Sequence, residues 1–160
     1  MAEKKTAAEE KPSYEEAREE LIDVVRRLEA GGTTLEESLA LWERGEKLAT
    51  ICQDWLDGAR TRLDAARART VKLALNAGCT FAAEPAGLFG WVDTGVDTDA
   101  LAQRMLDEGY LLAPGALFHA ERKPSTLMRI NFATAQDAVF WKKYGEVVKA
   151  FRRAPAAPAA

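Results

Sequence analysis

Cysteine and histidine are scarce in this chain: Cys52, Cys79 and His119 are all there is. One histidine and two cysteines without paired spacing cannot build a zinc cluster. Ser, Cys and His form no nucleophile set either, and His119, beside a polar loop, reads as a surface residue. Nothing supports a disulfide between the two cysteines. Cys52 falls on a helical apolar stripe, so reduced thiols and a cytoplasmic location are expected. Long apolar runs are missing too: none approaches the roughly 20 residues that cross a bilayer, so no membrane partner is expected. The opening MAEKKTAAEEK has charge but no apolar core, unlike a secretory signal. Gly87, Gly90 and Gly95 do not make GxGxxG, and no glycine leads into the Lys-Ser/Thr ending of a phosphate loop. Acidic neighbours such as Glu36 and Glu37 read as solvated helix surface, and no carboxylates converge as a metal-dependent nuclease would need.

What is present is a foldable composition, with 48% hydrophobic and 29% charged residues and a net charge of -3 over 160 residues. That excludes a disordered chain and suits one ordinary domain or two small ones. The most ordered pattern lies in residues 13–63. Tyr14, Ala17, Leu21, Val24 and Leu28 recur at steps of three and four, one face of a helix. Ser13 stands as its cap, with Glu16 at the reciprocal capping-box position. Gly31 and Gly32 break the pattern. Thr34 and Glu37 then repeat the start signal for a second helix, whose stripe is read as Leu35, Leu39, Trp42, Leu48 or Ala49, Cys52, Leu56, Ala59 and Leu63. Two capped helices across a Gly-Gly break predict an antiparallel hairpin. A pair this small buries one seam only, which leaves apolar surface for a partner. Trp42 and Trp55 are read as core or subunit contacts.

Charge is unevenly spread. Residues 14–58 hold twelve Asp and Glu against five Lys and Arg, an excess of seven negative charges. Residues 59–76 hold five Lys and Arg (Arg60, Arg62, Arg67, Arg69 and Lys72) against one Asp. The acidic hairpin is a poor nucleic-acid binder by itself. The basic stretch has the chemistry to meet a phosphate backbone, although a solvated helix face is the commoner role for such a run. Helix-permissive residues continue past Gly58 to the stop signal Asn76-Ala77-Gly78. Either one helix spans residues 35–76 or two abut near Gly58.

Beyond Gly78 the period changes. Short strands are predicted over 79–83, 88–92, 110–113 and 127–132, with helices opening at Asp97 and spanning 136–151. In the 127–132 strand, Leu127, Arg129 and Asn131 face one way, and Met128, Ile130 and Phe132 the other. Trp91 and Trp141 are read as core anchors. The expected fold class is an N-terminal all-α antiparallel hairpin followed by a small α/β (α+β) domain, mixed when taken together. Disordered tails are expected at 1–12 and 152–160, the hairpin at 13–64 and the second domain at 65–151. Arg129 is the one unusual side chain, an arginine in an apolar strand. It is costly unless it has a partner or reaches solvent, so it either grips a ligand carboxylate or lies on an exposed or ion-paired face.

The run PSYEEAREELIDVVRRLEAGGTTLEESLALWERGEKLATICQDWLDGARTRLD resembles the small subunit of exodeoxyribonuclease VII over nearly that whole domain. The resemblance implies a helical hairpin without catalytic residues. It also implies assembly, in several copies, on a large nuclease subunit that degrades single-stranded DNA to oligonucleotides; DNA is met only through that complex, and self-association fits too. It makes Tyr14, Leu21, Val24, Leu28, Leu35, Leu39, Trp42, Gly45, Leu48 and Leu56 packing or partner positions, with Gly45 letting the helices approach.

The segments AEPAGLFGWV, VDTDALAQRMLDEGYLLAPGALF and RKPSTLMRINFA resemble the C-terminal small domain of fold-type I pyridoxal-phosphate aminotransferases, in the branch fused to GntR-type regulators. Here Arg129 matches the arginine that binds the substrate carboxylate. In such enzymes the cofactor lysine and the aspartate facing the pyridine nitrogen lie in a large domain ahead of this segment. Here the acidic hairpin stands there instead, so no cofactor and no catalytic residue are expected, and Arg129 is expected to be vestigial. The alternative to a nuclease subunit is an orphan aminotransferase-like fragment or a chimera without independent catalysis.

Overall fold

The computed structural model describes residues 11–153, which divide into two compact units, one through Thr61 and one from Arg62. Most of the expected tails, residues 1–10 and 154–160, lies outside the described residues.

The first unit holds α1 (Tyr14–Ala30) and the start of α2 (Leu35–Asn76). Ser13 and Glu16 form the expected capping box on α1. Thr34 and Glu37 do the same for α2: the Glu37 N–H donates to Thr34 Oγ1 at 3.2 Å, and the Thr34 N–H donates to Glu37 Oε2 at 2.9 Å. Between the helices Gly31 and Gly32 adopt φ of 66° and 79°, a region that other residues enter at a cost. The helices run antiparallel, as their cross-links show: Lys11 pairs with Asp54 and Glu20 with Arg44. Lys11 and Pro12, expected in the disordered tail, are held against α2, since Trp55 Nε1 donates to the Pro12 carbonyl at 3.0 Å. Gly58 neither ends nor divides α2, which runs as one helix of 42 residues.

The second unit is built on a four-stranded antiparallel sheet of β1 (Thr80–Phe81), β2 (Phe89–Asp93), β3 (Ala113–Pro114) and β4 (Leu127–Asn131), in the order β1-β2-β4-β3. Trp91 faces Arg129 across β2 and β4, and Ala113 faces Arg129 across β3 and β4. The alternation read in β4 holds: Met128 and Ile130 are buried while Leu127, Arg129 and Asn131 are half-buried. Helices α3 (Thr98–Asp107) and α4 (Ala138–Arg153) and the last turns of α2 cover the buried face. Leu101, Met105, Trp141, Tyr144 and Ala74 meet Val92, Met128, Ile130 and Phe132 there. Residues 110–112, expected as strand, are irregular, because the pairing starts only at Ala113. α4 runs past the expected boundary at 151. Arg152 is part of it and donates to the Gly78 and Thr94 carbonyls.

Two buried polar links fasten this core. Thr70 Oγ1 on α2 lies 3.0 Å from the Phe132 carbonyl and 3.2 Å from that of Ala135. Cys79 Sγ donates to Tyr144 Oη at 3.2 Å. Both cysteines are free thiols. Burial pushes the Cys79 thiol and the Tyr144 phenol up, so both stay protonated at neutral pH.

Candidate partner-binding surface

The hairpin has one seam, and four residues fill it: Ala17, Val24, Leu41 and Leu48, with Leu21, Leu28, Ile51 and Cys52 around them. Leu41 and Ile51 are absent from the stripe read in the sequence. Leucines occur on two sides of α2, and the stripe read in the sequence crosses from one side, with Leu35, Leu39 and Trp42, to the other, with Leu48 and Cys52. The seven-residue step from Leu41 to Leu48, with Gly45 between, was the available signal.

The consequence is an apolar strip that the hairpin itself does not cover. Leu35, Leu39 and Trp42 are 81%, 55% and 56% exposed, and Leu56 is 50% exposed. At 100° per residue, Leu35, Leu39 and Trp42 share a face roughly a third of a turn from the buried seam. The expected packing or partner residues therefore separate. Leu21, Val24, Leu28 and Leu48 belong to the seam, Tyr14 is half-buried at the start of α1, and Leu35, Leu39, Trp42 and Leu56 face outward. Gly45 faces α1, but a Cβ there would sit 3.4 Å from Val24 Cγ1 and 3.9 Å from Leu21 Cδ1, ordinary contact distances. The helices do not need glycine there to approach.

An ion pair also links the two helices. Arg44 Nε and Nη2 each donate to one Glu20 oxygen at 2.6 Å, a bidentate clasp between the helices. That hydrogen bonding lowers the Glu20 carboxyl below its ordinary range. The Glu16 and Glu37 carboxyls are lowered as well, chiefly by the backbone N–H groups they accept from. No three His, Cys, Asp or Glu side chains gather as a metal site among the described residues.

Arg129 in the second unit has aromatic partners. Its guanidinium lies 4.7 Å from the Phe89 ring centroid and 4.3 Å from that of Phe118. These are cation–π contacts with two rings, neither the ion pair nor the bare exposure considered for it. Trp91 stands edge-on to Phe118, with centroids 5.1 Å apart. It is half-buried on the face away from the core, and so is not the core anchor expected; Trp141 is. The β4 period placed Arg129 on this face but carried no sign of Phe118, which arrives from the turn at Gly115–Phe118.

A capped helix pair with a filled seam, an uncovered apolar strip and no gathered metal-ligating groups among the described residues is a helical hairpin. Residues 14–65 match the family described as exonuclease VII small subunit. An exodeoxyribonuclease 7 small subunit of Streptomyces avermitilis is 80% identical over 55 residues, which are 34% of this chain and 69% of that protein. That of Streptomyces coelicolor is 73% identical over 66 residues, 41% of this chain and 75% of that protein. The chain belongs to the exonuclease VII small subunit family. Over 68% of its length it also superposes on a Methanococcus jannaschii protein described as similar in its active site to kynurenine aminotransferases, with a TM-score of 0.50 and 19% identity. At that identity the likeness is one of fold, and the chain spans 29% of that protein's length. No helix among the described residues is long and apolar enough to cross a membrane.

Proposed function

We propose that the chain is a non-catalytic small subunit of exodeoxyribonuclease VII. Residues 13–64 seat on a large nuclease subunit, in several copies, and the assembly degrades single-stranded DNA to oligonucleotides. The observation that carries this is the exposed strip of Leu35, Leu39, Trp42 and Leu56 beside a seam that is complete without it. Full burial of one such side chain is worth about 1.5–3 kcal/mol, so covering the strip drives association. Residues 65–151 form an appended aminotransferase-like domain in which Arg129, already held by two rings, is a relic of carboxylate binding.

Reconstitution with a large subunit tests the proposal. The intact chain should co-purify with it and raise single-strand degradation. Leu39→Glu and Trp42→Glu should lose both effects with helicity unchanged, because neither residue fills the seam. Full co-purification of the chain carrying both Leu39→Glu and Trp42→Glu, or no gain in degradation from the intact chain, would reject the strip as the docking surface. Titration with pyridoxal phosphate should produce no absorbance band of a bound cofactor; a stable band would overturn the vestigial reading of the second domain.

A further inference from the structure

The second unit carries a face where cations gather with few acids to answer them. Arg62, Arg69 and Lys72 stand on α2 at spacings of seven and three residues, which aligns them on one stripe that Asn76 continues. All three are exposed, and no ion pair engages them among the described residues; Arg67, on another flank, is tied to Asp64. The last turns of α2 lie along α4: a Cβ at Gly145 would sit 3.7 Å from the Ala77 carbonyl. A groove of about 380 Å³ separates the two helices, with Leu73 and Asn76 on one wall and Lys142 and Lys149 on the other. Neither lysine has an ion-pair partner among the described residues. Glu146 is the one carboxylate lining the groove, and it lies 3.9 Å from Lys143 Nζ.

We propose that this ridge, Arg62, Arg69, Lys72, Lys142 and Lys149, binds the phosphodiester backbone of single-stranded DNA. Five unneutralised cations along two adjacent helices complement a polyanion, whereas the hairpin, with its excess of seven negative charges over residues 14–58, repels one. A single strand bends to follow cations at uneven intervals; a duplex presents phosphates at fixed ones. The choice of DNA among polyanions rests on the function proposed above. The appended domain would then hold substrate that the hairpin cannot.

The test is fluorescence anisotropy of a labelled oligothymidylate with the full chain across 50–200 mM salt. Binding should weaken with a log–log slope of about -3, as four to five phosphate contacts on a single strand require. The variant R69Q/K72Q/K142Q/K149Q, and separately R62Q/R69Q, should bind at least tenfold and about threefold more weakly, with circular dichroism unchanged. Arg26→Gln, exposed on α1, should bind as the parent does. Equal binding by the fourfold variant, or a flat salt dependence, would overturn the proposal. So would equal affinity for duplex, or displacement of the strand by millimolar inorganic phosphate. Co-purification of the same variants with the large subunit keeps the two readings apart. Lost DNA binding with retained docking supports this ridge and leaves the subunit role standing; retained DNA binding with lost docking overturns the ridge's dependence on these cations alone.

Discussion

Gly115 has no room for a methyl group. A Cβ built on it would lie 2.6 Å from the Leu127 carbonyl oxygen, a backbone atom that cannot turn aside. Gly115→Ala should therefore destabilise the second unit by about 1–3 kcal/mol, read as a fall in urea midpoint. Gly45→Ala and Gly58→Ala should behave in the opposite way. The first meets only ordinary contacts and the second meets nothing within 4 Å, so each removes a helical glycine and gains up to about 1 kcal/mol. A loss at Gly45 would mean that the helices are closer than described. At the two cysteines, burial and the bond to Tyr144 shield Cys79, while Cys52 is half-buried. A thiol reagent at pH 8 should label Cys52 well before Cys79 in the native chain and both at equal rates in urea; faster labelling of Cys79 would contradict the burial.

The helices follow from short-range signals, and those signals were plain in the residues. Ser13 with Glu16, Thr34 with Glu37 and the glycines at 31 and 32 fixed where the hairpin begins and turns. Leu48 was read on the stripe of α2 but Leu41 was missed, because leucines on both sides satisfy the helical period and only the seven-residue step to Leu48 marks Leu41 as its neighbour in the seam. The same limit hid the ring contacts of Arg129: strand alternation gives a face, while Phe118 reaches it from a four-residue 3-10 helix, too short to leave a periodic signature. The two capping boxes and the Glu20–Arg44 pair also carry a pH dependence. Glu16, Glu20 and Glu37 have folded carboxyls below the unfolded value of about 4.3, so their contribution is whole above that value and is lost as pH falls through the folded ones. Ellipticity at 222 nm should hold from pH 7 to about 5 and decline below about 4. Glu16→Gln with Glu37→Gln, which keep an acceptor oxygen but cannot titrate, should flatten that decline; an unchanged acid transition would remove the caps from the explanation.

At the scale of the molecule, two units of different kinds share one chain and one long helix. The first is a helical hairpin whose seam is filled and whose strip of Leu35, Leu39, Trp42 and Leu56 is exposed. The second has a self-sufficient core, in which the sheet face bearing Val92, Met128 and Ile130 is covered by helices from its own residues. On the proposed function, the uncovered strip on α2 belongs in contact with a nuclease large subunit. The most direct measurement is the mass of the purified chain, with and without that large subunit, by native mass spectrometry. A mixed species containing both polypeptides, absent with Leu39→Glu and Trp42→Glu, is the expected result. Two separate populations, each at its own mass, would contradict the account.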